Sequence, residues 1–122
     1  MDDKQSLSTR GDVTSKVQEL WEKVFKNSNE VLHQHTHFGF DGVKNGTPNI
    51  EQRLFQLQAI GAVLDILLNN SALGNLDYEQ QRQILNAKQQ ITNMEMVAAA
   101  VKADKEADYI EAVAILEKQL PI

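Results

Sequence analysis

All three histidines of this chain fall within five positions, in the run His33-Gln34-His35-Thr36-His37-Phe38-Gly39-Phe40-Asp41-Gly42-Val43-Lys44-Asn45-Gly46. Imidazole is the commonest side-chain ligand for borderline transition metals, so the cluster is a candidate metal site for Zn, Fe or Ni. In an extended segment, His33, His35 and His37 project to one side and three nitrogens converge. If the preceding helix runs on through Phe38, His33 and His37 instead form an i, i+4 pair and His35 points elsewhere. Either geometry leaves two imidazoles side by side, and Asp41 could add a carboxylate. The competing readings are imidazolium side chains at a helix C-terminus, rings packed beside Phe38 and Phe40, or a solvated loop.

Other chemistries find less support in the residue types. The chain has no cysteine, which removes disulfides, thiol nucleophiles and thiolate metal sites together. A His-Glu-x-x-His pair is missing, and nothing in the spacing of Glu30, Asp41 or Glu51 singles one out as a general base. Gly39, Gly42 and Gly46 lack the Gly-Lys-Ser/Thr ending of a phosphate loop, so they are read as shaping a chain reversal. Phe38 and Phe40 either anchor that reversal on the helices or face a partner. Arg10-Gly11-Asp12 is read as a chance tripeptide, and residues 104–108 as a helix start, since they lack the alternating ligands of a calcium loop.

The elements that position this segment are helical. With 122 residues, 42% hydrophobic and 24% charged, the chain has the size and composition of one globular domain. Residues 1–11 carry no periodicity and are expected to form a flexible lead, followed by a single domain over 12–122. A first helix is expected from about Asp12–Ser15, with a Ser15-x-x-Gln18 capping box and Val13, Val17, Leu20, Trp21, Val24 and Phe25 at spacings of three and four, ending near Leu32. The stretch 33–47 is then a His- and Gly-rich loop. A second, central helix starts at Thr47-Pro48 with Thr47 as N-cap, and its apolar positions include Ile50, Leu54, Leu57, Ile60, Leu64, Leu67 and Leu68. The third and longest helix runs from Asp77, capped with Gln80, to about Lys102, burying Ile84, Ala87, Ile91, Met94, Ala98 and Val101. Asp104 caps a short fourth helix carrying Tyr109, Ile110, Val113, Leu116 and Leu120, which Pro121 ends. The fold class is therefore all-α, a bundle of three long helices and one short C-terminal helix with sequential neighbours antiparallel.

A helix that is apolar on two sides must bury both, so the second helix lies either at the centre of a monomer or against another copy of the chain. Leu57 and Leu64, with Phe38 and Phe40, are the candidate interaction residues. The many glutamines, among them Gln52, Gln56, Gln58, Gln80, Gln81, Gln83, Gln89 and Gln90, either rim an interface or form a wet helix surface. Met94, Met96 and the alanines Ala98 to Ala100 form either core or a ligand groove.

The run His35-Thr36-His37, Gly39, Asp41-Gly42 and Thr47-Pro48-Asn49-Ile50 resembles the short His-x-His-x-Gly-x-Asp-Gly segment, followed by Pro and an aliphatic residue, of tailed-bacteriophage structural proteins. The resemblance covers about 16 residues and does not extend to the rest of the chain. It implies a phage-derived origin. In trimeric phage fibres it further implies a His-x-His pair from each chain around an iron ion, here His35 with His37 or His33 with His35; this chain departs from such fibres in being helical and lacking repetitive β segments.

The net charge of −5 has the wrong sign for holding nucleic acid through phosphate neutralisation. The N-terminus has neither the basic start nor the apolar middle of a secretory signal, and the most apolar stretch, Ala59 to Leu68, is far short of the roughly 20 residues that cross a bilayer. A cytoplasmic protein, of a bacterium or an infected host, or a virion component is expected. Function is read first as a non-enzymatic helical interaction protein that self-associates and binds a protein partner. The alternatives are a metal-binding protein or metal-dependent enzyme at His33, His35 and His37, and a binder of a nucleotide or metabolite through Arg53, Arg82 or Lys88.

Overall fold

The computed structural model describes residues 2–69 and 76–120, with side chains from position 14 onward. Arg10, Gly11 and Asp12, the break at 70–75 and Pro121 lie outside what is described of side chains or backbone. The described residues form four helices: α1 (Asp2–Asn45), α2 (Ile50–Asn69), α3 (Tyr78–Lys102) and α4 (Glu106–Lys118). Among the described residues there is no strand, as the all-α reading requires.

The first helix differs most from expectation. It starts at Asp2 rather than near Asp12, so residues 2–11 are helical and Ser15 lies mid-helix instead of capping an end. A helix once nucleated extends at one hydrogen bond per residue, and no proline stands in its way. At the other end α1 does not stop near Leu32 but continues to Asn45, so the expected loop at 33–47 is helix through all three histidines. The interruption sits at Gly39, whose φ of 69° and ψ of −157° break the helical path in a region essentially reserved for glycine. α1, with 44 residues, is the longest element, and α3 keeps its expected extent at 25.

Helix ends show how the chain distributes caps. Asp77 caps α3 as expected, its carboxylate accepting from the Gln80 amide while the Gln80 side chain accepts from the Asp77 N–H. The same reciprocal pair starts α2, but with Asn49 and Gln52 rather than Thr47 and Pro48: Gln52 N–H donates to Asn49 Oδ1 at 2.9 Å and Asn49 N–H to Gln52 Oε1 at 3.0 Å. Pro48 lies before α2, which starts at Ile50, rather than in its first turn, and the Thr47–Pro48 bond is cis. Asp104 does not cap α4. It takes φ of 56° just after α3, where its N–H donates to Val101 O and that of Lys105 to Ala100 O, both at 3.0 Å, the double bond that closes a helix C-terminus. Asp tolerates this left-handed position better than most residues. Lys105 then begins α4 without a side-chain cap.

Register follows from cross-helix contacts. Gln80 reaches Thr14 and Gln83 reaches Gln18, so α1 and α3 run in parallel. Lys88 pairs with Asp65 while Gly61 abuts Ile91, so α2 and α3 run antiparallel, and Gln90 bonds Leu116 O across to the returning α4. α3 packs on all three other helices and carries ten buried residues to five on α2. The centre of the bundle is therefore α3, not α2, because α3 buries two neighbouring faces while α2 buries one. The six core positions expected on α3 are all buried. Gln90 is fully buried as well, in an amide chain from Asn93 Nδ2 to Gln90 Oε1 and Gln90 Nε2 to Leu116 O, and so belongs neither to a rim nor to a wet surface.

Candidate functional site

Helical periodicity divides the histidines. Val17, Leu20, Val24, Ser28 and Val31 form the buried stripe of α1, and the next position on that stripe is His35. Its Nδ1 lies 2.6 Å from the hydroxyl of Tyr109, a fully buried residue of α4, and the two rings meet edge to face at 5.3 Å. Burial, reinforced by the Glu106 carboxylate, pushes the Tyr109 phenol up to about 12, so it stays protonated at physiological pH. His33 and His37 face away, exposed, and meet each other edge to face at 4.2 Å between centroids. The three imidazoles therefore do not converge. This is the i, i+4 arrangement, and the extended one is overturned because α1 continues through the segment. Asp41, exposed beyond the Gly39 break, does not complete a ligand set: among the described residues no three His, Asp or Glu side chains gather where a metal ion would sit.

The two phenylalanines separate as well. Phe40 anchors the end of α1, its ring 4.8 Å from Tyr109, with Lys44 lying over it and reaching Asp104 at 3.3 Å. Phe38 is 70% exposed. Leu57 and Leu64, expected at an interface, are fully buried in the core and cannot meet a partner. The reason is phase: Ile50, Arg53, Leu57, Leu64 and Leu67 form the inner face of α2, and another set of residues occupies the outer one.

That set was missed in the sequence. Phe55, Ala59, Ala62 and Ile66, spaced four, three and four, lie on the outer side of α2 and are all exposed, Phe55 by 77% and Ile66 by 59%. The spacing is that of a coiled-coil seam, with two alanines at its centre that let another helix approach closely. Gln52, Gln56 and Gln58 flank it, uncharged and exposed. Sorting the apolar positions of α2 into two phases, rather than reading one broad face, would have revealed it.

A groove of about 760 Å³ opens between α1 and the start of α2, walled by Trp21 and Phe25, by Glu22, Lys26, Glu30 and Gln34, and by Arg53. Trp21 and Phe25 stack at 4.8 Å. Arg53 is 6% exposed, and its Nη1 donates to Glu30 Oε2 at 2.6 Å and to Asn27 Oδ1 at 3.0 Å. The other two cations considered for a ligand are engaged at the surface: Arg82 makes a double bond to Glu79, which lowers that carboxyl and raises the guanidinium, and Lys88 pairs with Asp65. Trp21 Nε1, Gln34 Oε1 and Arg53 Nε are buried without a hydrogen-bond partner. A buried polar atom left unpaired costs about 1–3 kcal/mol.

No described helix is long and apolar enough to cross a membrane. The chain matches no protein-family model, no curated protein and no solved structure.

Proposed function

We propose that this protein is a small helical interaction module that pairs with a second copy of itself through the outer face of α2 and, so assembled, binds a protein partner. The supporting observation is the exposed stripe Phe55-Ala59-Ala62-Ile66 on a helix whose opposite face is already buried in its own core. A folded monomer rarely leaves a contiguous apolar stripe, here two large side chains with two alanines between them, facing water unless something covers it. A second copy fits best, since the stripe is flanked by the uncharged amides of Gln52, Gln56 and Gln58, and an antiparallel pairing keeps the acidic Glu51 at its end away from its own copy. The resemblance of residues 35–50 to tailed-bacteriophage structural proteins supplies the setting, a virion or accessory component. Sedimentation velocity tests the association: the wild-type chain is expected to dimerise at micromolar concentration, and Ala62→Glu, which places a charge in the seam at an exposed position, is expected to be a folded monomer.

A second reading rests on the neighbouring pair His33 and His37, which offers two imidazoles on one helix face to a Zn, Ni or Fe ion. In that reading His35 is a structural residue, held by Tyr109, rather than a ligand.

A further inference from the structure

The seam on α2 is small for a stable pairing. From Phe55 to Ile66 it runs about 16 Å along a helix about 10 Å wide, whereas a specific contact covers about 800 Å² on each partner. A neighbouring element must join it, and α3 carries a second exposed stripe. Leu85, Gln89, Thr92, Met96 and Ala99 follow at spacings of four, three, four and three, all exposed, Leu85 by 54% and Met96 by 44%. The two stripes open on one face of the bundle: the groove between α2 and α3, about 280 Å³, is lined by Ala62 from one and Thr92 from the other, with Asp65, Lys88 and Glu95 beside them.

They also share a level. Gly61 abuts Ile91 and Lys88 pairs with Asp65, which sets the midpoint of the α2 stripe, between Ala59 and Ala62, beside residues 91–92 of α3. The stretch from Leu85 to Met96 has its midpoint between Gln89 and Thr92, within about 2 Å of that level. One twofold axis perpendicular to both helices therefore crosses both midpoints and runs each helix antiparallel to its own copy. About that axis Phe55 meets Ile66 and Ala59 meets Ala62, while Leu85 meets Met96 and Gln89 meets Thr92. Lys88 and Glu95, seven residues apart on the same flank of the α3 stripe, then stand opposite each other across the axis, with Lys88 of each copy facing Glu95 of the other. Glu95 makes no ion pair among the described residues, and Lys88, held at its own Asp65, is placed to bridge the two carboxylates.

We infer that a second copy of this chain docks along α3 as well as α2, antiparallel, with its register fixed by two reciprocal pairs of Lys88 with Glu95. The inference rests on the self-pairing proposed above and can fail while that pairing stands.

The chain has no cysteine, so a nitroxide on one introduced cysteine marks a single position in each copy. In the dimer, labels at Thr92→Cys, close to the axis, are expected within about 20 Å of each other, and labels at Tyr78→Cys, about thirteen residues from it, about 40 Å apart. Gln89→Cys replaces Thr92→Cys if that variant fails to fold by circular dichroism. Glu95→Lys is expected to raise the dimer Kd about ten-fold at low salt, an increase that shrinks at about 1 M salt. A chain that sediments as a dimer but holds labels at position 92 more than about 30 Å apart, brings labels at position 78 within about 20 Å, or keeps its Kd in Glu95→Lys, overturns the α3 contact and leaves the α2 contact standing. A chain that stays monomeric overturns both.

Discussion

Replacing Phe55 by alanine separates association from folding. Complete burial of a large apolar side chain is worth about 1.5–3 kcal/mol, and Phe55 still exposes 77% of itself. Covering it in a dimer therefore contributes about 1.5 kcal/mol per copy, and a twofold pairing counts it twice. After allowing for the methyl that alanine retains, Phe55→Ala is expected to raise the dimer Kd by about thirty- to hundred-fold. Little is lost from the monomer, because an exposed substitution away from caps and core stays within about 0.5 kcal/mol. Leu57→Ala, two residues along, should behave in the opposite way: its side chain is fully buried, so unfolding becomes easier by about 2–5 kcal/mol. Sedimentation velocity over about 1–300 μM, paired with urea unfolding well below the dimer Kd, reads both quantities. A wild-type chain that stays monomeric over that range, or a Phe55→Ala protein with an unchanged Kd, refutes the assignment of this stripe as the contact.

Four further outcomes are expected. Tyr109→Phe keeps the ring stack with Phe40 but removes the hydroxyl from His35, and is expected to cost about 1–2 kcal/mol in chemical denaturation. Because the Tyr109 phenol is raised to about 12 from an ordinary value near 10, its contribution is whole below about pH 10 and is lost as pH climbs towards 12; ultraviolet titration should show a late phenolate transition that Tyr109→Phe abolishes. Asp77→Ala removes the capping pair of α3 and is expected to lower stability by about 1 kcal/mol by thermal melting, as is Asn49→Ala for α2. Ni2+ or Zn2+ should raise the melting temperature in proportion to occupancy, with the rise lost in His37→Ala and retained in His35→Ala relative to that variant's own baseline.

The regular parts of the fold were legible because they repeat. Ile84 to Val101 on α3 announce a buried stripe seven residues at a time, and Asp77 with Gln80 is a local capping pair needing nothing distant. The histidine segment was harder, since glycines at 39, 42 and 46 read as one reversal, whereas Gly39 breaks the helix, Gly42 stays inside it and Gly46 follows its end. Whether a glycine ends a helix depends on what the following turn can bury, and the partner of that turn, Tyr109, lies some seventy residues on. Asp104 shows the same limit at short range: an acid between two helices can close the first or open the second, and the backbone angle decides. The groove was invisible for another reason. Trp21, Gln34 and Arg53 are unremarkable in type and distant in sequence, and what unites them is the partners they lack.

The break at Gly39 has a consequence for the order in which this molecule comes apart. Beyond it, Phe40 and Val43 turn onto the core and Lys44 reaches Asp104, so the last six residues of α1 act as a clasp over the short fourth helix. A thirteen-residue helix has little intrinsic staying power in water, and α4 is held by α3, by His35 through Tyr109 and by this clasp. Any side chain added at Gly39 forces the left-handed angle to relax and swings the clasp aside. Amide exchange in the Gly39→Ala protein should then loosen α4 ahead of the other three helices, so that one backbone torsion decides whether the bundle opens from its C-terminal edge or all at once.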